Sequence, residues 1–140
     1  MAELSQDLSS LLERNGVRAT PRRLEVLEEL ARERDDATAQ ELWSRLRERD
    51  SRTGLATVYR TLALLSEAGV IDAFSHRAGE QCYRLCGEGH HHHLVCERCH
   101  RVVEVKECDL GDWLDGVVRQ HGFVATDHHV EITGLCAECR

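Results

Sequence analysis

The sequence predicts an α+β chain in two parts, an N-terminal winged-helix domain followed by a small α/β domain. Three observations carry that prediction. Apolar residues recur at helical spacing through the first half and then give way to two short β-like runs. A flexible joint, Gly87-Glu88-Gly89, marks a change of composition. Beyond it the chain concentrates metal-ligating residues: four consecutive histidines, His90 to His93, precede Cys96-x-x-Cys99, and a second pair is Cys136-x-x-Cys139. The expected boundaries are residues 1–85 for the first domain, 86–89 for a hinge and 90–140 for the second.

Leu4, Leu8, Leu11 and Leu12 share one face of a first helix that Asn15-Gly16 stops. Thr20-Pro21 supplies an N-cap and a first-turn proline for a second helix, striped by Leu24, Leu27, Leu30 and Ala31 and broken at Asp35-Asp36. Thr38 and Glu41 have the spacing of a capping box, so a third helix follows with Leu42, Trp43 and Leu46 inward. The chain turns at Ser51-Arg52-Thr53-Gly54. A fourth helix then carries Val58, Leu62 and Leu65 and ends at Gly69. Two β runs, residues 70–74 and 81–85, flank a loop containing Gly79 and make a hairpin. Helices followed by a small hairpin describe a winged helix, in which the helix before the hairpin enters the major groove.

In the second half, residues 92–96 and 102–105 read as strands around the first Cys-x-x-Cys turn. Trp113, Leu114, Val117 and Val118 mark a helix that stops at His121-Gly122, and residues 123–133 read as a final strand. So small a unit usually needs a metal or a partner chain for stability.

No stretch approaches the roughly 20 apolar residues of a membrane span. The N-terminus carries Glu3 and Asp7 where a secretory signal has bases and an apolar run, so a cytoplasmic protein is expected. In a reducing compartment, seven cysteines point to metal rather than disulfides. A net charge of -7 argues against a simple polyanion binder, yet Arg14, Arg18, Arg22 and Arg23 form a local basic cluster, with Arg52 and Arg60 further on.

Two matched knuckles, Cys96/Cys99 and Cys136/Cys139, give four thiolates in tetrahedral reach of one Zn²⁺, closed to water and hence structural. The histidine run divides by strand alternation, His90 and His92 to one side and His91 and His93 to the other. Cys86 lies shortly before the run and Asp72 lies in the first hairpin strand. With His91 and His93 they compose a second, Cys/His₂/Asp donor set across the joint. No His-Glu-x-x-His, Gly-x-Ser-x-Gly or phosphate loop is present, so no catalytic residue and no organic cofactor are expected.

The run from Gly54 to Leu62 (Gly-Leu-Ala-Thr-Val-Tyr-Arg-Thr-Leu), followed by His90-His-His-His-Leu-Val-Cys-x-x-Cys99, resembles the ferric uptake regulator superfamily over nearly the whole chain. The resemblance implies a dimeric, metal-dependent repressor with an N-terminal winged helix and a C-terminal dimerisation domain, acting on double-stranded operator DNA. It is nearest to the zinc uptake regulator branch, which places Asp72 and Cys86 with His91 and His93 as a sensing site. Iron-sensing relatives use a histidine where this chain has Asp36 and a glutamate where it has Arg84 and Leu85. An iron- or peroxide-responsive regulator is the alternative, and a zinc enzyme a more remote one. A further site implied by the family draws on His90, His92 and His128 with a carboxylate where this chain has Gly111. Helical spacing puts Glu107 and Cys108 one turn earlier on the same face, with Cys108 a chemically reasonable replacement and Asp109 or Asp112 less well aimed. Two to three Zn²⁺ per subunit are therefore expected. For DNA, the resemblance implies that Thr57, Tyr59 and Arg60 face the major groove, that Arg18 reaches the minor groove and that Arg22 contacts phosphate.

Overall fold

The computed structural model describes residues 2–33, 35–75 and 79–140 and divides into two units, Met1–Glu88 and Gly89–Arg140. The tip of the expected hairpin, with His76, lies outside the described residues.

The first unit runs α1 (Ala2–Arg14), α2 (Pro21–Ala31), β1 (Ala37–Thr38), α3 (Ala39–Glu48), α4 (Leu55–Glu67), β2 (Asp72–Phe74) and β3 (Cys82–Arg84). Local chemistry sets each boundary. The Thr20 hydroxyl accepts from the Arg23 N–H at 3.4 Å, with Pro21 in the first turn of α2. Thr38 and Glu41 form a complete capping box on α3: the Thr38 hydroxyl accepts from the Glu41 N–H at 3.2 Å, and Glu41 accepts from the Thr38 N–H at 2.8 Å. Gly69 takes φ +75 just after α4, a left-handed turn that glycine adopts without steric cost.

The four helices close over one apolar core that includes Leu12, Val26, Leu27, Leu42, Val58, Leu62 and Leu65. Glu29 is buried in the same unit and pairs with Arg32 at 2.8 Å and Arg49 at 2.9 Å, which offsets its desolvation.

The hairpin is shorter than expected. Val70 and Ile71 do not begin its first strand; both are buried in the helical core, and the Val70 N–H returns to the Leu65 carbonyl at 2.9 Å. Their apolarity serves the exit of α4. The sequence pattern also gives no sign of β1, which pairs antiparallel with β3 (Ala37 opposite Tyr83, Thr38 opposite Cys82) and produces the sheet order β1-β3-β2. Two residues are too few to show alternation.

The second unit contains β4 (His92–Cys96), β5 (Val102–Val105), α5 (Gly111–Gln120) and β6 (Glu131–Gly134). β4 is central, antiparallel to β5 and parallel to β6. The final strand is therefore much shorter than residues 123–133. Parallel pairing to β4 requires a crossover, and residues 123–130 provide it, carrying the chain back from α5 to where Glu131 pairs with His93. Apolar burial is sparse here: only His92, Val95, Cys96 and Val102 are buried. No residue of α5 is buried, and Leu94, Val103, Trp113, Phe123 and Ile132 are exposed.

Candidate metal centres and the basic face of the first unit

Cys96 is the last residue of β4, and the chain turns tightly after it. The His100 N–H bonds the Cys96 carbonyl at 2.9 Å, with His100 itself at φ 64. A matching turn follows Cys136, whose carbonyl accepts from the Cys139 N–H at 3.0 Å. The Arg101–Glu138 ion pair (3.0 Å) and a hydrogen bond from Arg98 to the Cys139 carbonyl tie the two turns together. The ligand atoms of Cys96, Cys99, Cys136 and Cys139 all lie within 4.8 Å of one another, and the Cys99 and Cys136 sulfurs are 3.7 Å apart. A tetrahedron with Zn–S bonds of about 2.3 Å has sulfur–sulfur edges of about 3.8 Å.

The electrostatics favour a cation. Hydrogen bonds from the Cys99 and Cys136 backbone lower the Cys96 thiol to about 5. The crowding of Cys136, together with burial and the other two sulfurs, pushes Cys139 up to about 12. One thiolate is prepared by the backbone, while Cys99 and Cys139, crowded by neighbouring sulfurs, resist joining it unless a positive ion neutralises the set.

A second group in this unit brings together His90, His92, Cys108 and His128, again within 4.8 Å. The Nε2 atoms of His90 and His92 are 3.2 Å apart, and the Cys108 Sγ is 3.2 Å from the His128 Nε2. Cys108 reaches this position from the loop ahead of α5, not from the helical turn that spacing suggests, because the helix starts at Gly111 with Leu110 as its N-cap. His128 likewise stands in the crossover loop. Its ring centroid lies 4.5 Å from that of His90, while neighbouring His129 points away to Asp127 at 3.1 Å. Burial, then the neighbouring His90 and His128, lowers the pKa of His92 and keeps it neutral, the form that ligates. The Val130 N–H donates to the His92 Nδ1 at 3.2 Å, which leaves the neutral ring's proton on Nε2. Offering Nε2 to a cation therefore costs that hydrogen bond.

The donor set expected across the joint divides between the units. In the first, Asp72 opens β2 opposite Arg84, and Cys86 follows β3 with its Sγ 4.0 Å from the Arg84 Nη1. In the second, alternation pairs His91 with His93, ring centroids 4.7 Å apart, although the strand begins only at His92. Glu104 stands opposite His93 across the β4–β5 ladder and 3.9 Å from the His91 Nε2, a carboxylate beside this pair.

On the first unit, α4 presents Tyr59 and Arg60 to solvent, and the Arg60 Nη2 donates to the Thr57 hydroxyl at 3.3 Å. Arg18 and Arg22 are exposed, Arg18 ahead of α2 and Arg22 in its first turn. Sequence reasoning missed what holds Arg22: its Nη1 donates to Thr53 at 3.0 Å and to Glu25 at 3.3 Å. The i,i+3 spacing of Arg22 and Glu25 was the available signal; Thr53, 28 residues beyond Glu25 in sequence, gave none.

The model of the ferric uptake regulator family matches residues 14–133. The chain belongs to this family. It is 42% identical over 125 residues to the zinc uptake regulation protein of Mycobacterium tuberculosis, covering 89% of this chain and 96% of that one. It is 31% identical over 137 residues to the ferric uptake regulation protein of Escherichia coli K12, covering 96% and 93%. Among solved structures, a zinc uptake regulator complexed with zinc and DNA superposes with TM-score 0.78 at 29% identity, covering 98% of this chain and 93% of that one. The ferric uptake regulator of Francisella tularensis with iron superposes with TM-score 0.71 at 26% identity, covering 89% and 95%. The α+β architecture and the two-part organisation are those of the family. No helix among the described residues is long and apolar enough to cross a membrane.

Proposed function

We propose that the protein is a zinc-responsive transcriptional repressor: a cytoplasmic homodimer that binds a palindromic operator in its zinc-loaded form and represses zinc uptake genes. The observation that carries this reading is the donor chemistry. Thiolates recur at every candidate centre (Cys86, Cys108 and the Cys96/Cys99/Cys136/Cys139 set), and thiolate with imidazole suits Zn²⁺ better than Fe²⁺ or Mn²⁺. The kinship to zinc uptake regulators supports it.

In this reading the four-cysteine set holds a structural zinc, and Asp72, Cys86, His91 and His93 hold the regulatory one. His90, His92, His128 and Cys108 form an additional site, giving two to three Zn²⁺ per subunit. Bound across the joint, zinc supplies a fixed tetrahedral anchor, so that binding free energy becomes conformational free energy. The zinc is an anchor and no reaction passes through it, so no residue is assigned a catalytic role. Arg18, Arg22, Thr57, Tyr59 and Arg60 form the DNA-reading face. The exposed apolar sheet residues Leu94, Val103 and Ile132, unusual for an isolated unit, suit the surface of a second copy.

A gel shift on the gene's own upstream DNA, titrated with buffered zinc, tests the reading. Wild-type protein is expected to bind only above a threshold of free zinc, and Cys86→Ala to lose that response while keeping its fold. Affinity that ignores zinc, or that rises with Fe²⁺ and not with Zn²⁺, contradicts it and favours the iron- or peroxide-responsive alternative.

A further inference from the structure

Thr53 is the last residue but one before α4, and it is buried although its neighbours Arg52 and Gly54 are exposed. Its hydroxyl donates to the Glu25 Oε2 at 2.5 Å, and its backbone N–H donates to the Ser51 hydroxyl at 3.1 Å. The same hydroxyl accepts from the Arg22 Nη1 at 3.0 Å, and that nitrogen also donates to the Glu25 Oε2 at 3.3 Å. Three side chains thus close a triangle between the first two turns of α2 and the start of α4. A guanidinium carries five N–H donors, and this triangle uses those of one nitrogen. Arg22 also borders a cleft between α2 and α4, lined further by Thr20, Arg23, Thr57 and Arg60. Cationic and hydroxyl groups gathered in one concave place suit a single phosphodiester.

We propose that Glu25 and Thr53 are positioning residues for DNA recognition: they fix the Arg22 guanidinium at the cleft between α2 and α4, against one operator phosphate. The inference rests on the operator reading above and deepens it. Glu25 is also suited to the task by charge. Burial raises its pKa, but hydrogen bonds from Ser51, Thr53 and Arg22 outweigh it, so the carboxylate stays ionised and grips the guanidinium. Anchored at the N-terminal end of α4, the phosphate contact also sets the register at which Thr57, Tyr59 and Arg60 meet the bases.

The alternative is an ordinary i,i+3 surface pair, in which Glu25 merely cancels an arginine. The two differ in sign. Removing an acidic group from a polyanion-binding face strengthens binding on charge grounds alone. A positioning role predicts the opposite.

The test measures operator affinity of the full-length zinc-loaded protein against salt for wild type, R22Q, E25Q and T53V, with thermal melts of each. R22Q removes one phosphate contact from each of the dimer's two subunits, so it is expected to bind more weakly and to reduce the magnitude of the slope of log K against log salt by about 1.8, about 0.9 per contact. E25Q and T53V are expected to weaken binding and lower the slope in the same direction, with melting temperatures showing folded protein. T53V is isosteric and leaves the charge unchanged, so its loss isolates the hydroxyl. An E25Q that binds as tightly as wild type or more tightly, with an unchanged salt slope, overturns the proposal alone. A zinc-loaded wild type that binds no upstream DNA overturns the operator reading and the proposal with it.

Discussion

Stripping metal from the protein is expected to unfold the second unit while the first stays folded. The difference is legible in what each unit buries. The first has, among its described residues, a cluster of sixteen buried residues drawn from α1–α4, the hairpin and the segments joining them. The second buries two aliphatic side chains, Val95 and Val102. Fully burying a valine is worth about 1.5–3 kcal/mol, so together they contribute about 3–6 kcal/mol. A structural zinc site contributes about 10–16 kcal/mol at neutral pH, more than the apolar burial of this unit can supply. Residue-resolved amide exchange, before and after chelation under reducing conditions, reads both units at once. The β4 amides that pair with β5 and β6 should lose protection, and those of α2, α3 and α4 should keep it. Persistent protection in β4, with no zinc detectable by mass spectrometry, would show that burial or the partner chain alone sustains the sheet, and would refute a metal-dependent fold for this unit.

Other perturbations isolate single contacts. The double variant Arg32→Ala/Arg49→Ala leaves the buried Glu29 carboxylate without either guanidinium and should cost about 3–5 kcal/mol in urea denaturation, more than the sum of the single changes. Glu25 gives a pH signature. Its folded pKa is depressed, so its contribution is present above the unfolded value of about 4.3 and is lost as pH falls through the folded value. The stability advantage of wild type over E25Q should therefore hold steady above about pH 5 and shrink below about pH 4; a difference that stays flat on acidification contradicts the network.

The helices of the first unit are readable because their caps and stripes are local: Thr20-Pro21, Thr38 with Glu41, and the leucines of α4 each declare their element within one or two turns. What the sequence hides is non-local. β1 is two residues paired with a strand 44 positions away, Thr38 with Cys82. The last strand reads too long because His128, Val130 and Ile132 alternate, yet His128 belongs to a loop whose course is set by parallel pairing to β4. The candidate metal ligands are legible from spacing and softness. The chemistry of Cys108 nominates it on the premise of a helical turn, and the structure brings it to His128 by a loop instead. The Glu25–Thr53–Arg22 triangle joins α2 to the start of α4, and no periodicity within either segment predicts such a contact.

The uneven cores also order the metal sites by how readily they should empty. In the proposed scheme the regulatory set shares its donors between units, and Asp72 and Cys86 sit on a unit whose helices are stable through their own packing. Losing that zinc leaves the DNA-reading face folded, so the ion can exchange without cost to the fold. The four-cysteine set has no such freedom. In the same scheme its unit is expected to depend on it, and one of its thiols, Cys96, is held near 5 by backbone donors and stays ready to ligate. The additional site lies between these, because loading His92 costs its bond from Val130. A graded chelator titration should therefore separate two events. Operator binding should disappear at a chelator strength that leaves β4 amide protection intact, and protection should fall only when the last zinc leaves. If protection in β4 falls before or together with operator binding, the protein has one metal-dependent transition in place of two, and a sensing site distinct from the structural one is not needed to explain its response.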